Sequence, residues 1–177
     1  LGHVHVVDSC NLSTGTGLIV VAAGKMIQEG LDAETIAERL RSRTHKCHAS
    51  FVLDTLTFLH AGGRCSAVAA LGANMLKLKP CIQVNNVDGS MGLGKKYRGA
   101  LDKALIKYVK DELSRYSDIN TDLLFITHSG IPQEYIDQVR ETIDGIIQFK
   151  EIHVTKASCT ISCHCGPNTL GILFETL

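Results

Sequence analysis

The chain has 177 residues, of which 45% are hydrophobic, and its 18 lysines and arginines balance its 18 aspartates and glutamates. That balance argues against a nucleic-acid binder, because such proteins need an excess of cations to offset phosphate charge. No apolar stretch reaches the roughly 18 residues that indicate a membrane-spanning helix, so no membrane span is expected.

The seven cysteines are scattered, and no two of them have the CxxC spacing. A disulfide framework is not expected in a chain of this size without an export signal. Most of the cysteines are therefore predicted to be reduced, small apolar residues of the core. This use of cysteine predicts a protein of the reducing cytoplasm.

The first quarter of the sequence predicts one strand and two helices. Residues 3–8 read as a central strand, and residues 18–27 read as a helix that is apolar almost all round and hence deeply buried. Gly30 fits the position just past the end of that helix. Asp32 is expected to cap a second helix, which has an apolar stripe formed by Ala33, Ile36, Ala37 and Leu40.

The rest of the chain alternates between helical and strand patterns. Asp88 and Gly89 predict a hairpin turn, and Pro132 suits the start of a helix. Helices are predicted over residues 55–60, from Ser66, from Leu101 and from Pro132. Strands are predicted over residues 50–53, 81–84, 90–97, 123–127, 149–154, 160–164 and 170–174.

These elements predict an α/β (α+β) protein of two parts. The polar residues 41–46 mark the expected boundary. Residues 1–46 are interpreted as the C-terminal remnant of an N-terminal α/β domain. Residues 47–177 are expected to form a two-layer domain with helices on a mostly antiparallel sheet. A central strand at residues 3–8 suggests a missing upstream part, although processing or trimming of the chain would explain such a start equally well.

Three segments combine glycine with polar groups at the end of an element. The loop from Asp8 and Ser9 to Thr16 is either an anion-binding turn or a plain turn capped by a threonine. In the second, Gly62 and Gly63 precede Arg64, which either clamps an anion or lies on the surface after a glycine-terminated helix. The third, residues 163–167, holds a histidine next to a Gly-Pro turn.

The spacing of the residues argues against a zinc site and against a dinucleotide-binding loop. Cys159, Cys163, His164 and Cys165 do not match zinc sites, because on a strand the histidine would point away from the two nearest cysteines. Residues 14–17 resemble part of a dinucleotide loop, but the acidic residues about twenty positions on lie within a helix rather than at a strand end. No metal and no cofactor other than a bound ligand is expected.

Taken together, the segments resemble the DegV family of fatty-acid-binding carriers. The matching stretches run in order along the whole chain: residues 6–9, 51–56, 62–64, 71–72, 76–80, 98–99, 164–167 and 170–171. Departures are Asn168, where the family often has glycine, and Cys163, where serine or threonine is common.

The resemblance implies a bacterial, cytoplasmic carrier that buries a long-chain fatty acid in an apolar tunnel. It places Arg64, His164 and Ser9 near the carboxylate, and Arg98 in contact with the catalytic subunit of a fatty acid kinase. Acyl-pocket residues expected from the apolar helices are Leu18, Ile19, Val68, Leu71 and Met75. On this interpretation no residue of the chain is catalytic.

Two alternatives remain open from the sequence. The chain would be a phosphoryl-transfer or hydrolytic enzyme if His164 acted as acid and base and Arg64 as anion clamp. It would be a structural or regulatory module if it bound no small molecule, although the balanced charge gives that reading little support.

Overall fold

A computed structural model describes residues 4–63 and 78–177 of the chain. These residues form six α-helices and six β-strands. The helices are α1 Ser13–Gln28, α2 Ala33–Arg43, α3 Thr57–Ala61, α4 Leu101–Leu113, α5 Gln133–Asp144 and α6 Cys159–Cys165. The strands are β1 Cys47–Val52, β2 Leu78–Val84, β3 Met91–Arg98, β4 Ile119–His128, β5 Glu151–Lys156 and β6 Leu170–Thr176.

The six strands form one sheet in the order β3-β2-β1-β6-β4-β5. Every neighbouring pair is antiparallel except β4 and β5, which are parallel. The mixed α/β fold with a mostly antiparallel sheet, expected from the sequence, is confirmed.

Helices cover both faces of the sheet, so the fold has three layers and not the two expected from the sequence. On one face, α4 and α5 contribute to the largest core cluster, in which Leu105, Val109, Val139 and Ile143 are fully buried. On the other face, α1 and α2 pack over one part of the sheet. Beside them, α3 and α6 pack over a third cluster that includes Leu59 and Cys165.

Tyr108 of α4 links the two central strands of the sheet. Its buried hydroxyl donates to the carbonyl oxygen of Ser50 on β1 at 2.7 Å and accepts from the backbone N–H of Ile172 on β6 at 3.0 Å. A buried tyrosine hydroxyl needs such partners, because an unpaired polar group in the core destabilises the fold. This side chain therefore holds β1 and β6 in register.

The local signals for helix ends and turns are confirmed. Gly30 has a φ angle of 81° after α1, and the two backbone bonds of a Schellman motif form around it. The Asp32 carboxylate accepts from the backbone N–H of Thr35 at the start of α2. Residues 85–90 form the turn between β2 and β3, and Pro132 directly precedes α5.

Two predicted strands are wrong. Residues 4–8 form no strand, since they pair with no other strand in the described part of the chain, and Val4 and Val6 are each 79% exposed. Residues 160–164 lie in helix α6. There the Ser158 hydroxyl accepts from the Ile161 N–H at the helix start, and Gly166, with a φ angle of 75°, ends the helix.

The predictions for α1 need correction in two respects. The helix is not buried all round, because Leu18, Ile19 and Ala22 face the core whereas Val20 and Ile27 are each 64% exposed. No threonine caps it either: its N-cap is Leu12, whose side chain makes no capping hydrogen bond.

The proposed boundary at residues 41–46 coincides with the end of α2 and a short 3-10 turn, Thr44–Lys46. Arg43 forms a two-bond ion pair with Glu175 at the end of β6, and α1 and α2 share a core cluster with β1, β4 and β6. The division into parts 1–46 and 47–177 stays a prediction. Within residues 4–63 and 78–177, no helix has the length and apolar character needed to cross a bilayer.

Candidate functional site

Helices α3 and α6 lie against each other and bring two glycine-containing segments together. A Cβ atom built on Gly62 would lie 2.2 Å from Nδ1 of His164, and one built on Gly166 would lie 2.4 Å from the ring of Phe58. At both positions a side chain larger than that of glycine would force the neighbouring ring to move. The sequence signals Gly62-Gly63 and His164-Cys165-Gly166 therefore belong to one packed junction.

The Gly-Pro turn after α6 is held by hydrogen bonds to Ser129 and Asp54. The Ser129 hydroxyl, just after β4, donates to the carbonyl oxygen of Gly166. The side-chain amide of Asn168 donates to Asp54 at 3.2 Å, and Asp54 also forms an ion pair with Lys79 of β2. These bonds hold the end of α6, and with it His164, in a defined position on the sheet.

One ring nitrogen of His164, Nδ1, is buried without a hydrogen-bond partner among the described residues. A buried polar atom without a partner is rare and points to a missing ligand, water or side chain. The nitrogen lies beside Gly62, which precedes Arg64 by two positions in the sequence, and Arg64 lies outside the described residues.

Next to this junction, a narrow cleft with a cavity volume of about 30 Å³ lies on the sheet between the start of α1 and α6. The lining of the cleft is mostly apolar, as in binding sites for small molecules. The described residues that line the cleft are Leu12, Ser13, Ala49, Ser50, Phe51, Thr127, His128, Ser129, Ala157, Ile161, Cys165, Thr169, Gly171 and Leu173.

Most hydroxyl groups of the lining residues are bound to protein groups. Thr127 bonds to Thr14 of α1 at 2.5 Å and to Thr155 of β5 at 2.9 Å. The Thr169 hydroxyl donates to the carbonyl oxygen of Cys165 at 3.0 Å, and the Ser50 hydroxyl bonds to Tyr108. Because these hydroxyls already have partners, the cleft presents mainly carbon surface to a ligand.

Burial keeps the titratable groups of the lining neutral. Desolvation, with the positive charge of Lys156 as a second cause, lowers the pKa of His128, whose Nδ1 accepts from the Gly130 N–H. Burial also raises the pKa of the Cys165 thiol to about 11. At neutral pH the walls of the cleft therefore contribute no charge from these two side chains.

The site residues predicted from the sequence are dispersed. His164 lies at the junction beside the cleft, whereas Ser9 bonds to Thr16 at 3.0 Å and does not line it. Leu18 and Ile19 lie in the core beneath α1, and Arg98 is exposed at the end of β3. Arg64, Val68, Leu71 and Met75 lie outside the described residues.

Several lining residues were not singled out from the sequence. Ala49, Gly171 and Leu173 lie on neighbouring strands, where an apolar side chain reads as ordinary core. Ile161 falls in the predicted strand 160–164, and Cys165 directly follows it. Only the serine and glycine at the two ends of residues 158–166 indicated the helix that brings them to the cleft.

Metal binding finds no support in the described residues, which contain no group of three or more histidine, cysteine or acidic side chains close enough to share an ion. In helix α6, the exposed Cys159 and Cys163 lie on the side opposite to Cys165. Cys159, Cys163 and Cys165 therefore do not converge on one ion because the segment is a helix, and not because it is a strand, as the sequence suggested.

Comparison with known proteins decides the family. The model of the DegV family, described as a family of uncharacterised proteins, matches residues 2–177. The chain belongs to the DegV family. The resemblance seen in the ordered motifs is thereby confirmed over almost the whole length of the sequence.

Curated DegV relatives match over nearly all of the chain. A DegV domain-containing protein from Caldanaerobacter subterraneus is 25% identical over 173 residues, which are 97% of this chain and 60% of the relative. One from Deinococcus radiodurans is 29% identical over 168 residues, 93% of this chain and 57% of the relative. The chain thus spans about three fifths of the curated relatives it matches.

Solved DegV structures share the fold. A Thermus thermophilus DegV protein, described by its fatty acid binding, is 27% identical with a TM-score of 0.83, covering 99% of this chain and 62% of that protein. A Eubacterium eligens protein loaded with heptadecanoic acid is 23% identical with a TM-score of 0.86, covering 99% and 62%. The fatty acid kinase B3 protein of Streptococcus pneumoniae, loaded with linoleic acid, is 21% identical with a TM-score of 0.86, covering 99% and 60%.

Proposed function

We propose that this DegV chain binds the hydrocarbon part of a long-chain fatty acid in the cleft between α1 and α6. The observation that supports this most directly is the apolar lining of a cleft whose hydroxyl groups are mostly paired with protein groups. Such a surface suits an alkyl chain and disfavours a polar ligand. The fatty acid binding described for the Thermus thermophilus DegV protein supports the same ligand class.

The driving force for this ligand is burial of its methylene groups. Each methylene removed from water contributes about 0.8 kcal/mol, so a long acyl chain has a large gain to set against the entropy it loses on binding. The small side chain of Ala49 leaves space on the sheet that the chain would fill. No covalent chemistry is needed for this role.

The carboxylate would lie toward the α3–α6 junction. A buried anion needs hydrogen-bond donors or a cation, because an unpaired one is very unfavourable. The buried Nδ1 of His164 lacks a partner among the described residues and supplies such a donor when it holds the proton. Arg64, two residues after Gly62, is the proposed cation.

The second part of the proposal is that the chain presents the carboxylate to a separate kinase and does not itself catalyse a reaction. The exposed guanidinium of Arg98 is the proposed contact with that partner. The name of the Streptococcus pneumoniae neighbour, a fatty acid kinase B3 protein, supports a partnership of this kind. A cytoplasmic location follows from the same proposal.

A pair of matched variants tests the ligand and the cleft together. Ala49→Phe fills the cleft from its floor, whereas Val20→Phe adds the same side chain to the exposed face of α1. Titration with a fluorescent polyene fatty acid is expected to show binding for wild type and Val20→Phe, and a loss of at least tenfold for Ala49→Phe. Equal binding by all three proteins, with circular dichroism showing that all are folded, would contradict the proposal.

A further inference from the structure

Helix α6 presents two thiols to solvent on the side opposite to the cleft. Cys159 and Cys163 are both exposed and lie four residues apart, so they share one face of the helix. Ile161 and Cys165, on the opposite face, line the cleft. Any change that moves the exposed face of this seven-residue helix also moves a wall of the cleft.

The distance between the two thiols is set by helix geometry. Side chains at positions i and i+4 have Cβ atoms about 5–6 Å apart, whereas a disulfide needs about 3.5–4.5 Å. A bond between these cysteines therefore forms only if the first turn of α6 opens. Oxidation of the pair and the helical state of this turn are thus mutually exclusive.

The side-chain hydrogen bonds of the first turn are long. The capping bond from the Ile161 N–H to the Ser158 hydroxyl is long, at 3.4 Å, and the Ser162 hydroxyl reaches the carbonyl oxygen of Ala157 only at 3.5 Å. The Ser162 N–H donates to the Ser158 carbonyl oxygen at 2.9 Å. Neither of the two side-chain bonds is short, so opening the turn gives up only weak side-chain hydrogen bonds.

We propose that Cys159 and Cys163 form a redox-sensitive dithiol, and that its oxidation by a low-molecular-weight disulfide opens the first turn of α6 and withdraws Ile161 from the cleft. One cysteine thiolate attacks the small disulfide and releases one thiol. The second cysteine thiolate then attacks the mixed disulfide and releases the other thiol. The pair loses two electrons and two protons, and the small disulfide is reduced to two thiols.

The other thiols near the cleft do not compete. Cys165 is buried against the sheet with its thiol protonated, so its reaction with a disulfide is slow. Cys47 and Cys81 are fully buried in the core. The exposed pair is therefore the preferred site on α6. Its effect on ligand binding rests on the function proposed above, whereas the disulfide and the helix opening do not.

The test uses the full chain with Cys10→Ser and Cys65→Ser, treated with oxidised glutathione and compared with the reduced protein. Tandem mass spectrometry of the peptide covering residues 157–177 is expected to show a bond between Cys159 and Cys163. Amide hydrogen exchange of residues 158–163 should rise at least tenfold, and fatty acid binding should weaken at least tenfold. Dithiothreitol should reverse all three changes.

Single Cys159→Ser and Cys163→Ser variants are the controls and should keep reduced-state exchange and binding under the same treatment. Three outcomes would each overturn the proposal. They are stable glutathione adducts without a disulfide, a disulfide that involves Cys165, and a Cys159–Cys163 disulfide without faster amide exchange. If the reduced chain binds no fatty acid, the proposed ligand is wrong, while the exchange measurement still decides whether the dithiol opens the helix.

Discussion

Gly62 and His164 are in direct contact: a Cβ atom added to Gly62 would lie 2.2 Å from the imidazole Nδ1. The contact joins the end of α3 to the end of α6, two elements that are about a hundred residues apart in sequence. The position of the imidazole beside the cleft therefore depends on the absence of a side chain at Gly62.

The first prediction concerns this contact. Gly62→Ala forces His164 to move, because the added methyl group cannot lie 2.2 Å from a ring nitrogen. We expect fatty acid affinity to fall about tenfold, equivalent to about 1.4 kcal/mol, with little change in the melting temperature. Isothermal titration calorimetry measures the affinity. The control is Gly92→Ala, at an open position on β3. An unchanged affinity of Gly62→Ala would show that the imidazole does not contribute to fatty acid binding.

A second prediction tests the packing of the two central strands. A Cβ atom on Gly171 of β6 would lie 2.4 Å from the carbonyl oxygen of Ser50 and 2.8 Å from Cβ of Phe51, both on β1. Gly171→Ala should therefore destabilise the protein by roughly 1–3 kcal/mol, as overpacking does in other cores. Urea denaturation measures this change. The prediction fails if Gly171→Ala is as stable as Gly92→Ala.

The third prediction concerns the ion pair between α2 and β6. The side chain of Glu175 is only 9% exposed and that of Arg43 is 35% exposed, and two hydrogen bonds join them. Glu175→Gln leaves the guanidinium without its countercharge. We expect a loss near the lower end of the roughly 3–5 kcal/mol seen when a buried pair loses one partner, since Arg43 is partly solvated.

The matched control for that ion pair is Lys150→Met, which removes the exposed pair between Lys150 and Asp122. Solvated pairs of this kind contribute little, so no measurable change in the urea midpoint is expected. Similar losses in Glu175→Gln and Lys150→Met would show that burial of the Arg43 pair is unimportant.

A fourth prediction follows from the protonation of His48. Burial lowers the pKa of His48, so the unfolded chain binds this proton more tightly than the folded chain does. The free energy of unfolding should therefore be highest above the unfolded pKa of about 6.5 and fall as the pH drops below it. His48→Gln removes this contribution. Urea unfolding at about pH 7.5 and about pH 5.5 should show a smaller loss in the variant, and equal losses would contradict the prediction.

Much of the fold could be predicted because its signals are local. Asp32 and Gly30 indicated the start and end of helices, and Asp88 and Gly89 indicated the β2–β3 turn, since each acts through its own backbone or its nearest neighbours. The mostly antiparallel sheet followed from the number and spacing of these elements.

The failures have a different physical origin. Residues 159–165 contain threonine, isoleucine and three cysteines, which favour a strand, and the helix forms because the Ser158 cap and Gly166 limit the segment at both ends. Residues 4–8 alternate like a strand, but alternation produces a strand only where another strand edge is available for pairing.

The candidate site could be predicted only in part. The contact of His164 with Gly62 agrees with the grouping of these motifs in the family resemblance. The cleft arises from the small side chain of Ala49 and from the position of α6 over the sheet. No single stretch of sequence indicates such a space, because it depends on residues from five separate segments.

Photo-crosslinking with a diazirine-labelled long-chain fatty acid tests the central proposal most directly. If the acyl chain lies between α1 and α6, label is expected on Phe51, Ile161 or Leu173, and unlabelled fatty acid should suppress it. A second apolar groove, lined by residues including Ile27, Ile36 and Leu40, lies on the outer side of α1 and α2 and is the internal comparison. Label confined to that groove, or no label that unlabelled acid suppresses, would contradict the account.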